Sequence, residues 1–138
     1  MSFIQEIDIC IDQTLSKLEE GYQIDAFLWH QGESDQRKGK DYYDNLKAVV
    51  TYVRTHLSQK TGKDYSKLPF IFGTVARSNK SYSSEVEAGM RRLAEEYSNA
   101  YLIDMSDAEL LNDRLHFNKK SAEHLGREMY KRLAEIMF

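Results

Sequence analysis

Two short segments of this chain gather groups capable of acid/base and hydrogen-bonding chemistry. In Asp113-Arg114-Leu115-His116 a carboxylate stands three residues before a histidine. In a loop, that spacing lets Asp113 accept from a ring N–H, fix the tautomer of His116 and leave the other ring nitrogen to exchange a proton. In His30-Gln31-Gly32-Glu33-Ser34-Asp35 an amide donor, a glycine that permits close backbone approach and a carboxylate fall within four residues. Plainer explanations exist for both: Asp in a turn bonds to nearby backbone, and Gln31-Gly32-Glu33 is compatible with a simple polar turn. His30, Glu33, Asp113 and His116 together also supply imidazole and carboxylate ligands of the kind that hold Zn²⁺ or Mn²⁺, so a metal-dependent hydrolase is an alternative.

Each segment must be positioned by the elements around it. Ile24-Asp25-Ala26-Phe27-Leu28-Trp29 is compact, bounded by polar residues and too short for a stable helix, which predicts a mostly buried strand over 24–29. A second strand is expected over 68–76, opened by the only proline, Pro69, where a missing N–H is tolerated, and a third over 100–105. Phe3, Ile7, Ile11, Leu15 and Leu18 recur at helical steps and predict a first helix stopped by Gly21. Tyr43, Leu46, Val50, Val53 and Leu57 predict a second helix ending at Gly62. Val86, Met90, Leu93 and Tyr97 predict a third, started by a Ser84–Glu87 capping box. Ala122, Leu125, Met129, Leu133 and Ile136 predict a last one, capped by Asn118.

Alternating helix and strand indicates an α/β fold with parallel strands. Ligands of such sheets sit beyond the carboxyl ends of the strands, where the two segments above and Arg77-Ser78-Asn79 fall. His56 and His124 lie on helices and are expected to be structural or exposed, Cys10 to be a small core residue, and Tyr42-Tyr43 to pack at a helix start. Three strands are few for this class, where about five or six are usual. The 24–29 strand is therefore expected at an open side, exposing apolar surface that drives formation of a homodimer or receives a missing N-terminal half.

Composition limits the function classes. The chain has 138 residues, enough for one domain over 1–138 with a real hydrophobic core. With 19 Lys+Arg against 22 Asp+Glu, the net charge of −3 has the wrong sign for tracking phosphates, so nucleic acid is not an expected partner. A single cysteine rules out an intrachain disulfide. No apolar run reaches the ~18 residues of a membrane span, and acidic residues interrupt the N-terminus where a signal peptide would be apolar. As written, the chain is expected to be soluble and cytoplasmic, without a membrane partner. With no P-loop or dinucleotide fingerprint, no cofactor is expected.

The string Trp29-His30-Gln31-Gly32-Glu33-Ser34-Asp35 after a buried strand resembles the sialate O-acetylesterase and acetylxylan-esterase-like family, carbohydrate esterases of the SGNH hydrolase superfamily. Tyr43, the Leu46-to-Arg54 helix, Leu68-Pro69-Phe70-Ile71 and Asp113-Arg114-Leu115-His116-Phe117 follow in the family's order. The resemblance implies a three-layer α/β/α, flavodoxin-like fold and deacetylation of sugars such as sialic acid or xylan by a serine-esterase mechanism. It implies His116 as the base, Asp113 as its orienting carboxylate and Gln31 as a side-chain donor to the oxyanion. Glu33 would support His116 as a second carboxylate or hold the Gln31 loop. Trp29, His30 and Gly32 would shape the substrate pocket, and no metal is implied.

The chain departs from the family at one point. The nucleophile belongs to a Gly-Gln-Ser-Asn type motif upstream of the W-H-Q-G-E block, and no such motif occurs here. Ser78 has the Ser-Asn pair but follows the wrong strand; Ser34 and Ser106 fit no better. The missing motif and missing strands together give the expectation of a C-terminal portion of a larger esterase, whose isolated chain is inactive or weakly active. A non-catalytic module that binds acylated sugars is the other expectation.

Overall fold

The computed structural model describes residues 2–138; Met1, the first residue of the expected 1–138 domain, lies outside them. In chain order its elements are α1 (Phe3–Gln13), β1 (Phe27–His30), α2 (Tyr42–Thr61), β2 (Phe70–Gly73), α3 (Ser84–Glu96), β3 (Ala100–Ile103) and α4 (Lys119–Met137). The strands are parallel in the order β1-β2-β3, with Phe27 opposite Phe70 and Phe70 opposite Ala100. No helix among the described residues is long and apolar enough to cross a membrane.

Strand alternation sorts the core into layers. Phe70 and Phe72 face α2 and α3, packing with Leu46, Val50, Met90 and Leu93. Ile71 points the other way and packs with Ile103, Leu125 and Met129 under α4. The result is the expected α/β/α sandwich with fewer strands than a complete flavodoxin-like sheet. The strands are shorter than predicted. Runs 24–29, 68–76 and 100–105 contract to four paired residues each, because their ends turn into loops after the shared register runs out.

Two helix boundaries and one burial differ for local reasons. The first helix begins with a reciprocal cap, Gln5 N donating to Ser2 Oγ and Ser2 N to Gln5 Oε1, but it leaves α geometry at β-branched Thr14 (φ −130°). A single 3₁₀ turn, Leu15–Lys17, follows, so the predicted helix up to Gly21 is not formed. The cap of α3 is Ser83, which accepts from Val86 N, rather than Ser84; Glu87 is turned to a different task described below. Cys10 is exposed, because Ile11 is the buried residue of α1. Gly62, in left-handed conformation (φ 73°), ends α2 as expected, and Asn118 caps α4 by accepting from Ser121 N.

One buried charge on α2 went unread in the sequence. Arg54 is 7% exposed and donates to the carbonyls of Leu68, Ser98 and Asn99 at 2.8–3.1 Å. Burial lowers its pKa, and these carbonyls supply the hydrogen bonds that burial takes from water. It thereby ties together the chain segments entering β2 and β3. At the sheet's side, β1 is an edge strand, and Leu28 is 52% exposed.

Met90 is fully buried between the sheet and the turn after β1. Met90→Ala should cost about 2–5 kcal/mol in urea unfolding, against about 0.5 kcal/mol or less for the exposed Leu28→Ala.

Candidate active site

Parallel pairing puts the carboxyl ends of all three strands together, with His30 opposite Gly73 and Gly73 opposite Ile103. The loops after them carry the predicted site residues. After β1 the chain must turn sharply under α3. Gly32 does this at φ 147°, where a Cβ would come within 2.9 Å of Met90 Cε and 3.1 Å of Val75 Cγ2. Two short 3₁₀ turns over Glu33–Asp41, broken at Lys38, then lead into α2.

Gln31 is held at both ends of its carboxamide. Its Nε2 donates to Asp35 Oδ2, and the Tyr42 hydroxyl donates to its Oε1 at 3.2 Å and to its main-chain carbonyl at 3.1 Å. Tyr42 is 3% exposed, and burial pushes its phenol above the usual range, so it stays a neutral donor. Trp29 packs with Phe27 and Phe3, and its buried Nε1 has no hydrogen-bond partner among the described residues. Glu33 opens the 3₁₀ segment and makes no side-chain hydrogen bond or ion pair among the described residues; in particular it does not reach His116.

The loop after β3 forms the predicted pair. Asp113 Oδ2 lies 2.6 Å from His116 Nδ1, while Oδ1 accepts from the backbone N–H of Leu115 at 2.9 Å and of His116 at 3.0 Å. The hydrogen bond from His116, reinforced by these amides, holds the Asp113 carboxyl well below the usual carboxylate range. An ionised carboxylate only accepts, so Nδ1 carries the hydrogen and Nε2 presents its lone pair. The pair is open to solvent, with the His116 side chain 69% exposed.

The loop after β2 supplies the support, a role the sequence reading did not assign. Asn79, 5% exposed, donates from Nδ2 to the Leu115 carbonyl at 3.0 Å and accepts from Ser81 N. Lys80 N donates to the Arg114 carbonyl. Glu87 joins the loop to α3: burial alone would raise its carboxyl, but the two-pronged Arg77 contact and Arg91 hold it below the usual value. Ser78, by contrast, is exposed and has no side-chain bond to His116.

A ring contact joins the two predicted segments. His30, exposed at the end of β1, lies 4.7 Å from Phe117, the residue after His116. Among the described residues no three His, Cys, Asp or Glu side chains converge to hold a metal ion, so His30, Glu33, Asp113 and His116 do not form the ligand set of the metal-hydrolase alternative. His124 is exposed and lines a separate cavity of about 640 Å³ with Asp104, Ser106 and Arg127. His56, on α2, bonds Asp8 at 2.7 Å.

A sequence-family profile described as carbohydrate esterase, sialic acid-specific acetylesterase, matches residues 6–135. No curated protein matches the chain. Among solved structures it is similar to a protein from Arabidopsis thaliana known by X-ray crystallography, with a TM-score of 0.75 and 24% identity over 97% of this chain and 57% of that one. The chain thus spans little more than half that protein's length, and the likeness is one of fold.

The Asp113 geometry makes two expectations for NMR. The neutral His116 ring should be the Nδ1–H tautomer, shifting toward Nε2–H in Asp113→Asn. The Asp113 carboxyl should titrate below the ~3.9 of a free Asp, so the stabilisation from its contact is complete above that value and lost only as pH falls through the lower folded-state midpoint. A midpoint at or above the free value would contradict the contact.

Proposed function

The chain belongs to the carbohydrate esterase, sialic acid-specific acetylesterase family, and from that premise we propose that it is the acid/base portion of a serine O-acetylesterase acting on acetylated sugars such as sialic acid or xylan. The observation that carries this reading is the 2.6 Å Asp113–His116 contact, which leaves His116 Nε2 free at the loop-bearing end of the sheet. In the proposed reaction Nε2 removes the proton of a serine hydroxyl as its oxygen attacks the acetyl carbonyl. Charge then gathers on the carbonyl oxygen, where the Gln31 amide donates. As the tetrahedral intermediate collapses, His116 returns the proton to the departing sugar oxygen and an acetyl-enzyme remains. Water, deprotonated by the same nitrogen, attacks the acetyl carbonyl, and His116 passes the proton to the departing serine oxygen as acetate leaves.

The nucleophile is assigned to a segment outside these 138 residues. Supporting this are the lack of a Gly-Gln-Ser-Asn motif, the place of Ser78 after β2 without a side-chain bond to His116, and the open flank of β1. His30 would stand beside the sugar, Trp29 would back it from the other face of β1, where it packs on Phe27 and Phe3, and Gly32 would set the turn that brings Gln31 to the site. Glu33, without a bond to His116, is assigned to the Gln31 loop.

The isolated chain should turn over 4-nitrophenyl acetate or acetylated sugars little if at all. Supplied with a nucleophile-bearing N-terminal segment, fused or in trans, it should become active. His116→Ala should then abolish activity, Gln31→Ala should lower kcat by about 10²-fold, and Glu33→Gln should cost much less than Asp113→Asn. Strong His116-dependent activity of the chain alone would overturn the missing nucleophile. Sugar binding without turnover in the joined protein would favour a non-catalytic module.

The exposed β1 flank gives a second expectation. By light scattering at high micromolar concentration the chain alone should run as a dimer or larger species, and the N-terminal segment should restore a single joined unit. A strictly monomeric chain would count against an adhesive edge.

A further inference from the structure

Gln31 has anchors of opposite kind. The Tyr42 hydroxyl shares its one hydrogen between Oε1 and the main-chain carbonyl, whereas Asp35 accepts from Nε2. A carboxamide has two flipped orientations, and only one presents oxygen to a donor and NH₂ to an acceptor. Asp35 occupies one Nε2 hydrogen, and the other has no partner among the described residues. The phenol ring is enclosed: it belongs to the core with Leu46 and Met90, and Gly89 leaves it close passage along α3.

We propose that Tyr42 is a positioning residue that locks the Gln31 carboxamide in the orientation keeping one amide hydrogen free for the developing oxyanion. The link to an oxyanion rests on the acetylesterase reading; the lock itself does not. Its value is preorganisation, since a donor already aimed when charge develops needs no reorientation during the reaction. Asp35 sets the second anchor and also limits the design, because its charge must stay on the far side of the amide from the reacting oxygen. Tyr42 holds the carbonyl of the same residue, so one hydroxyl fixes both the side chain and the turn into Gly32.

The test is NMR of the ¹⁵N-labelled chain. In the parent protein the two Gln31 side-chain NH₂ protons should be widely separated and slow to exchange. In Tyr42→Phe, which keeps the ring, they should converge toward those of exposed Gln59, while the Phe72 and Leu93 backbone amides stay in place. Unchanged Gln31 protons in a folded Tyr42→Phe would overturn the lock. Should that variant not fold, Asp35→Ala removes the other anchor at a less buried position, and the same convergence or its absence decides. In the protein joined to its nucleophile segment, Tyr42→Phe should lower kcat about tenfold with KM nearly unchanged, and should add nothing to Gln31→Ala. A broken lock with unchanged kcat would overturn the oxyanion role of Gln31 and leave the lock standing.

Discussion

The strand Phe70–Gly73 is buried on both faces, with Phe70, Ile71 and Phe72 at 0% exposure, and its backbone groups are taken up by β1 on one side and β3 on the other. A strand so enclosed cannot slip by one residue without driving Phe70 and Phe72 into the α4 layer and Ile71 into the α2–α3 layer. Its register therefore fixes where Gly73 ends, and through the parallel pairings where His30 and Ile103 end as well. The three loops of the site leave from that common level. Their convergence is a consequence of core packing before it is a matter of any polar contact.

Buried charges close the two ends of this sheet in different ways. At the entry end Arg54 collects carbonyls from the segments leading into β2 and β3, adding to the Phe70 N–H that the Asn99 carbonyl already accepts. At the exit end Glu87 is the inner member, with Arg77 and Arg91 reaching it from a loop and from its own helix. The first arrangement welds strands; the second holds a loop against a helix. Asn79 extends the second outward to the Leu115 carbonyl, so support for the His116 loop runs continuously from α3.

Much of this was legible in the sequence, and the losses have physical causes. Periodicity identified α2, α3 and α4 because their inward faces are apolar at regular steps, and Gly62 and Asn118 marked ends where capping chemistry is local. Thr14 broke the first helix because an apolar stripe reports a face, whereas helix length also depends on backbone preference. Ser83 displaced Ser84 as the cap because Glu87, needed for a reciprocal box, is held by Arg77, a partner far off in sequence. At the site, Asp113 and His116 were readable because both belong to one tight loop. Tyr42 and Asn79 were not, since their partners, Gln31 and Leu115, are 11 and 36 residues away. Cys10 and Arg54 show the same limit at the level of burial: residue type suggested the opposite of the environment each found.

Among the described residues the Asp113 carboxylate makes all its bonds within the next three positions, to two amides and one ring. Acid and base are thus wired to each other by the loop itself and to the body of the protein by separate contacts through Asn79, Lys80 and Phe117. Orientation of the imidazole and placement of the loop are independent variables. The stretch from Ile103 to Leu110 is itself moored, Met105 N donating to Thr74 Oγ1 and Arg77 N to the Ser106 carbonyl, so the dyad is a self-contained cassette set on a fixed mount.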